Sequence, residues 1–116
     1  MQDYRKLDVW KVAHQFTLGV YRESTHFPAE EMFALTRQLR RSAVSIGSNI
    51  VEGTGRASQK DLRRFLAIAR GSCVEAGYQL LLARDLGYLA EGRYRDLSGQ
   101  SDQIRRMLTS LQRKIA

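Results

Sequence analysis

The chain has 116 residues, a mass of 13.3 kDa, a hydrophobic content of 43% and a formal net charge of +7 at pH 7. This length suits one domain with one core, and no apolar run approaches the roughly 20 residues that a membrane span requires. The N-terminal residues lack the apolar stretch of a signal peptide, and a single cysteine excludes an internal disulfide framework, so we expect a cytoplasmic protein.

The first predicted helix covers residues 7–23. Apolar residues recur at spacings of three and four from Val9 to Val20, which is typical of a helix with one buried face. We expect the helix to end before Pro28, because proline disfavours helical backbone in the residue that precedes it.

The second predicted helix covers residues 29–52. Glu30 and Glu31 fall in its first turn, where acidic side chains complement the helix dipole. Gly53 follows it and predicts a C-terminal stop, because glycine is the residue most often found just past a helix end.

This helix has apolar residues on two sides. One stripe runs from Leu39 to Ile50 and suits the core of the chain itself, while other apolar residues lie nearly opposite. The third helix also has apolar residues outside its main stripe. Contact with further copies would bury these additional apolar residues of both helices. We therefore predict an oligomer interface that contains Val44, Val51, Ile68, Leu81 and Leu82.

The third and fourth predicted helices cover residues 59–86 and 91–115. Ser58 with Asp61 three positions later is a variant of the capping box at a helix start. The main apolar stripe of the third helix runs from Leu62 and Phe65 to Ala83. Cys73 lies on this stripe, so we interpret it as a small core residue. The fourth helix repeats its apolar residues in a 3-4-3-4 pattern, which favours near-antiparallel packing. The fold class is therefore all-α, an up-down-up-down antiparallel four-helix bundle.

Basic residues are concentrated in the middle of the chain. Residues 37–70 contain eight of the 19 Lys and Arg residues but only two of the 12 Asp and Glu residues. Such an excess favours a polyanionic partner, and the alternative is a solvated face that keeps the protein soluble. The predicted nucleic-acid or anion-binding residues are Arg37, Arg40, Arg41, Arg56, Lys60, Arg63, Arg64 and Arg70. They form two groups, which are separate patches or else join into a track only in an oligomer.

No catalytic arrangement is visible in the sequence. His14 and His26 are the only histidines, and neither has a second ligand-type residue at metal spacing. Phosphate-loop, nucleophile-elbow and HExxH motifs are all missing from the 116 residues. We therefore predict a protein without enzymatic activity, cofactor or metal.

The chain contains the motifs LDVW (residues 7–10), FP (27–28), QLRRSAVSI (38–46), SNIVEG (48–53), GR (55–56), FL (65–66), ARGS (69–72) and LGYL (86–89), with Ala13, Tyr21 and Glu75. These short motifs cover nearly the whole chain and are specific as a combination. They resemble the four-helix bundle family that is encoded in intervening sequences of large-subunit ribosomal RNA genes. Where this chain has Val51 the family typically has alanine.

The resemblance implies a homo-oligomer, a pentameric ring of bundles, with no enzymatic activity. The chain is also similar to the accessory variability determinants of diversity-generating retroelements, which are basic pentamers that bind nucleic acid and a reverse transcriptase. The leading prediction is a non-catalytic, homo-oligomeric protein that binds RNA or other nucleic acid through its phosphates. The alternative is an oligomeric scaffold subunit, in which the arginines form inter-subunit ion pairs and the ligand is another protein.

Overall fold

The computed structural model describes residues 3–115, and over that range every regular element is helical. The four α-helices are α1 (Asp8–Ser24), α2 (Leu35–Thr54), α3 (Gln59–Asp85) and α4 (Glu91–Lys114). Two short 3-10 helices, Tyr4–Lys6 and Ala29–Glu31, precede α1 and α2. The all-α prediction is thus confirmed for this part of the chain.

The helices pack in the cyclic order α1, α2, α3, α4 and back to α1. Two hydrogen-bonded pairs give the register of α2 against α3: Ser45 with Ser72, and Ser42 with Glu75. Since the residue number falls on one helix as it rises on the other, these two helices are antiparallel. The molecule is 43 Å long, close to the roughly 40 Å that the 27 residues of α3 span at 1.5 Å each. The packing is that of a four-helix bundle; the predicted ring concerns several copies and stays a prediction.

The core lies where the apolar periodicity predicts it. In α1 the residues Val9, Phe16 and Val20 are buried, and in α4 the 3-4 repeat places Leu97, Ile104 and Leu108 against the other helices. These side chains leave water only when four helices meet, so burial of their apolar surface is the main force that assembles the bundle.

The second helix differs from the prediction at both ends. It begins at Leu35 and not at residue 29, because the backbone at Ala34 leaves the helical region (φ −125°, ψ −106°). Glu31 lies in the preceding 3-10 helix, where its Oε1 accepts a hydrogen bond from Leu35 N at 3.3 Å. The helix also continues through Gly53 to Thr54, so Gly53 does not end it. The glycine instead allows α2 to approach α3 closely, because a Cβ at this position would lie 3.0 Å from Phe65 Cβ.

In the third helix the start of the buried stripe differs from the prediction. Leu66 is fully buried, whereas Phe65, which the periodicity placed in the core, is half-buried at the edge of the bundle. Cys73 is buried as predicted, and its Sγ donates to Ser101 O at 2.9 Å. Burial raises the pKa of the Cys73 thiol, because the thiolate would be poorly solvated there.

Among residues 3–115 no helix combines the length and the apolarity that crossing a membrane requires.

Candidate nucleic-acid interface

Seven of the eight predicted basic residues form two clusters at different heights of the bundle. We name Arg56, Lys60, Arg63 and Arg64, which surround the connection from α2 to α3, the turn cluster. Arg37, Arg40 and Arg41, near the start of α2, are the groove cluster. In the antiparallel register of α2 and α3 the clusters are about 20 Å apart along the axis, at 1.5 Å per residue. A single copy therefore has separate basic patches and not a continuous track.

The turn cluster surrounds a shallow depression at one end of the bundle. Lys60, Arg63 and Arg64 line this depression of about 540 Å³ together with Gln112, which α4 contributes. The Ser58 hydroxyl caps α3 by accepting from Asp61 N at 3.0 Å, so the helix that carries the three basic residues has a fixed start. Gln112 was missed by the sequence reasoning. It lies 52 positions from Lys60 in the chain, and only the packing of α4 on α3 brings the two together.

Two arginines of the turn cluster are ordered by an aromatic ring. The guanidinium carbons of Arg56 and Arg64 lie 5.0 Å and 4.6 Å from the centroid of Phe65. Both arginines also have a carboxylate on the same surface, Glu52 at 3.4 Å and Asp61 at 3.9 Å. Exposed ion pairs of this kind contribute little, so these guanidinium groups remain available to a stronger anion. The contact with two guanidinium groups thus gives the half-buried Phe65 a role at the polar start of α3.

The other two cations of the turn cluster have no carboxylate within ion-pair distance in the described part of the chain. These are Lys60 and Arg63, both exposed. The backbone carbonyl of Arg63 accepts from Gln112 Nε2 at 3.3 Å, which holds that turn of α3 against α4. The turn cluster thus presents four cations and two loosely paired carboxylates.

Arg70 belongs to neither cluster. It is half-buried on the side of α3 that faces α4, and its Nη1 donates to Thr109 Oγ1 at 3.5 Å. Its side chain therefore connects two helices and does not line the turn-cluster depression.

The groove cluster is chemically different, because its arginines lie beside exposed apolar side chains. Tyr21, Met32, Phe33 and Val44 line a groove of about 550 Å³ with the three arginines. Phe33 is 85% exposed, although it is aromatic. Periodicity placed Met32 and Phe33 inside the second helix. Since they lie instead in the turn before α2, the sequence pattern gave no signal of this groove.

The three arginines of the groove cluster are not equivalent. Arg40 is half-buried: its Nε donates to Ser24 Oγ at 2.8 Å and its guanidinium carbon lies 4.8 Å from the Tyr21 ring centroid. Arg37 and Arg41 are exposed and have no carboxylate within ion-pair distance among residues 3–115. Arg40 thus connects α1 to α2, and the charge of the groove that can meet a ligand belongs to the other two.

The predicted oligomer-interface residues differ in exposure. Val44 and Ile68 are both 42% exposed, and Val51 and Leu81 are half-buried. Leu82 is half-buried and packs against the core of its own chain. That these residues contact another copy stays a prediction. Val44 and Ile68 suit such a contact better than the other three, because they are exposed.

The histidines lie outside both clusters. His14 is exposed and its ring stacks on Trp10 with the centroids 5.0 Å apart, and His26 is exposed in the turn that follows α1. Within residues 3–115 no three His, Cys, Asp or Glu residues come together in a way that could hold a metal ion.

Comparison with known proteins agrees with the helical architecture. The chain is similar to a protein of unknown function from the S23 ribosomal protein family of Bacteroides thetaiotaomicron, whose crystal structure superposes with a TM-score of 0.84. The two share 26% sequence identity over 90% of this chain and 95% of that one. No curated protein sequence matches the chain. The family model described as 23S rRNA-intervening sequence protein matches residues 5–110, and the chain therefore belongs to that family.

Proposed function

We propose that the protein is a non-catalytic module that binds RNA or other nucleic acid through its phosphates, at the turn cluster. The observation that carries the proposal is that Lys60 and Arg63 line one depression without carboxylate partners in the described chain, beside two weakly paired arginines. A site of that composition attracts phosphate groups, whose negative charge each cation neutralises with release of a counterion.

The expected contacts position a backbone and do not read a sequence. One arginine side chain can bind two phosphate oxygens at once, whereas lysine supplies a single charge on a flexible side chain. The Phe65 ring is covered by two guanidinium groups, so the turn cluster offers no bare aromatic face on which a base would stack. We therefore expect binding that depends strongly on salt and weakly on base identity.

The test is a titration of a structured RNA, followed by fluorescence anisotropy over a salt series. The double variant Lys60→Gln/Arg63→Gln should reduce the slope of log K against log salt by about 2, one for each lost phosphate contact. The matched control is Arg93→Gln/Arg95→Gln, which removes the same charge at the opposite end of the bundle, where both arginines already have carboxylate partners. A flat slope for the wild type, or an equal loss in both double variants, would overturn the proposal.

We also propose, as the second candidate, that the protein is an oligomeric scaffold subunit. Its support is the groove cluster, where Arg37 and Arg41 lie unpaired in the described chain next to exposed Phe33 and Val44. Light scattering of an Arg37→Ala/Arg41→Ala variant at low and high salt separates the two candidates, because both arginines are exposed and neither packs α1 on α2. Loss of assembly with unchanged nucleic-acid binding favours the scaffold.

Assembly into a homo-oligomeric ring, location in the cytoplasm and lack of enzymatic activity are proposals that accompany both candidates. The exposed apolar residues of α2 and α3 support the first of them. The relation to the accessory variability determinants of diversity-generating retroelements stays a prediction from the resemblance.

A further inference from the structure

We propose that the nucleic acid bound at the turn cluster is double-stranded, and that its second strand contacts Arg106 and Arg113 on the outer side of α4. The inference rests on the proposed function and deepens it, because it names the form of nucleic acid and adds a second row of cations to the same site. Charge counted along the chain gave no signal of this row, since α4 lies outside the basic stretch of residues 37–70.

The C-terminal half of α4 is basic and lies beside the turn cluster. Residues 103–114 contain four of the 19 Lys and Arg residues and none of the 12 Asp and Glu residues. Gln112 Nε2 donates to Arg63 O at 3.3 Å, which places this stretch against the start of α3. Farther along, Arg70 Nη1 donates to Thr109 Oγ1 at 3.5 Å. Two basic segments that are distant in the chain therefore form one surface within a single copy.

Two of the arginines on α4 are available to a ligand. Arg105 Nη2 donates to Asp102 Oδ1 at 2.7 Å, so this guanidinium group is already paired. Arg106 lies 3.6 Å from the same carboxylate, but its side chain is 66% exposed, and such an exposed pair is weak. Arg113 is exposed, and no carboxylate of residues 3–115 lies within ion-pair distance of it.

The other contacts of α4 show on which side of the helix these two arginines lie. Leu108 is buried in the core, Gln112 faces α3, and Lys114 lines a depression beside α1. Arg106 and Arg113 are seven residues apart, which is close to two helical turns, so they share one side of α4. At 3.6 residues per turn that side is opposite Leu108 and faces outward.

Two rows of cations on neighbouring helices fit the two strands of a duplex. The α3 row is Lys60, Arg63 and Arg64, and the α4 row is Arg106 and Arg113. Packed helices lie roughly 8–10 Å apart, and the grooves of B-DNA are roughly 6 Å and 12 Å wide. Since phosphates border a groove on both sides, each strand can meet one row. A single strand would neutralise one row and leave the other in water.

The surface lacks what recognition of unpaired bases requires. Phe65 is the only aromatic residue in residues 59–67 and 103–114, and two guanidinium groups cover its ring. Surfaces that bind single strands stack the bases on aromatic rings, whereas a duplex presents its phosphates and keeps its bases paired. Paired phosphate strands are common to duplex RNA and duplex DNA, so the experiment includes both.

The test is fluorescence anisotropy over a salt series with three ligands of one sequence: an RNA duplex, a DNA duplex and one unstructured RNA strand. For the preferred duplex, Arg106→Gln/Arg113→Gln should reduce the slope of log K against log salt by about 2, one for each lost phosphate contact. The slope for the single strand should stay unchanged, because that strand occupies the α3 row. Arg106→Lys/Arg113→Lys keeps both charges and should retain the wild-type slope.

The matched control is again Arg93→Gln/Arg95→Gln, which removes two charges from the other end of the same helix and should leave duplex binding unchanged. Tighter binding of a duplex than of the single strand supports the inference, and the tighter of the two duplexes identifies the ligand. Equal or tighter binding of the single strand, or a wild-type duplex slope in Arg106→Gln/Arg113→Gln, would overturn the inference and leave the turn cluster as the binding site. A wild type that binds none of the three ligands would overturn the proposed function itself.

Discussion

Arg40 and Ser24 form a hydrogen bond of 2.8 Å between α2 and α1, and Ser24 is 2% exposed. The guanidinium group thereby stands over the Tyr21 ring, at 4.8 Å, and closes the end of the interface between the two helices. A residue that the charge pattern assigns to ligand binding is thus part of the packing of the bundle.

We expect Arg40→Ala to lower the free energy of unfolding by about 1–2 kcal/mol, because it removes a charge-assisted hydrogen bond and a cation–π contact. Arg37→Ala, which removes an exposed arginine one turn earlier, should change it by less than about 0.5 kcal/mol. Urea denaturation followed by circular dichroism measures both. Equal stability of the two variants would contradict the packing role of Arg40.

Gly53 and Gly99 are both helical glycines, but they differ in the space around them. A Cβ at Gly53 would lie 3.0 Å from Phe65 Cβ and 3.1 Å from Leu62 Cδ1, whereas a Cβ at Gly99 would have no atom within 4 Å other than its chain neighbours and the backbone of its own helix. Gly53→Ala should therefore cost about 1–3 kcal/mol through overpacking, and Gly99→Ala should stabilise the fold by about 0.5–1 kcal/mol through helix propensity. Opposite shifts of the urea midpoint are the expected result, and stabilisation by both alanines would refute the close approach of α2 and α3.

The buried thiol of Cys73 makes stability depend on pH in the alkaline range. Its pKa is raised in the folded protein, chiefly by burial, above the ordinary thiol value of about 8.5. Above that value the unfolded chain has lost a proton that the folded protein still binds, so the free energy of unfolding falls as the pH rises. Denaturation at pH 7, 8.5 and 10 should show this fall.

The control is Cys73→Ala compared at the same pH values, because the variant has no thiol to titrate. Its stability should fall less between pH 8.5 and 10 than that of the wild type. The Tyr88 pKa is also raised, chiefly by its hydrogen bond to Glu31, so a smaller fall at the highest pH should persist in the variant. Identical pH profiles would show that the thiol does not contribute.

Glu31 has a structural carboxylate, whereas the carboxylate of the neighbouring Glu30 is solvated. Glu31 accepts from Leu35 N at the start of α2 and from the Tyr88 hydroxyl, whereas Glu30 is exposed. We expect Glu31→Ala to lower the free energy of unfolding by about 1 kcal/mol, because it removes the hydrogen bond that caps α2. Glu30→Ala should have little effect. Amide hydrogen exchange at the first turn of α2 would locate the loss, and protection equal to that of the wild type would contradict the capping role.

Much of the architecture followed from the sequence, because apolar periodicity is a local property. The 3-4 repeat in α4 predicted the burial of Leu97, Ile104 and Leu108, and the helical stripe around Cys73 predicted a core thiol. Both inferences require only that side chains three and four residues apart share one face of a helix. The excess of basic residues between positions 37 and 70 was equally readable, since charge is counted along the chain.

Only the tertiary structure decided how those residues are used. Arg37 and Arg40 are the same residue type, one turn apart in one helix. Arg40 is a packing residue because Ser24 and Tyr21 of α1 approach it, whereas Arg37 stays exposed. Gln112 joins Lys60 for the same reason, because α4 packs beside the start of α3. Periodicity states which face of a helix is apolar, but which polar groups meet across two helices depends on their register and distance, and these arise only when the bundle forms.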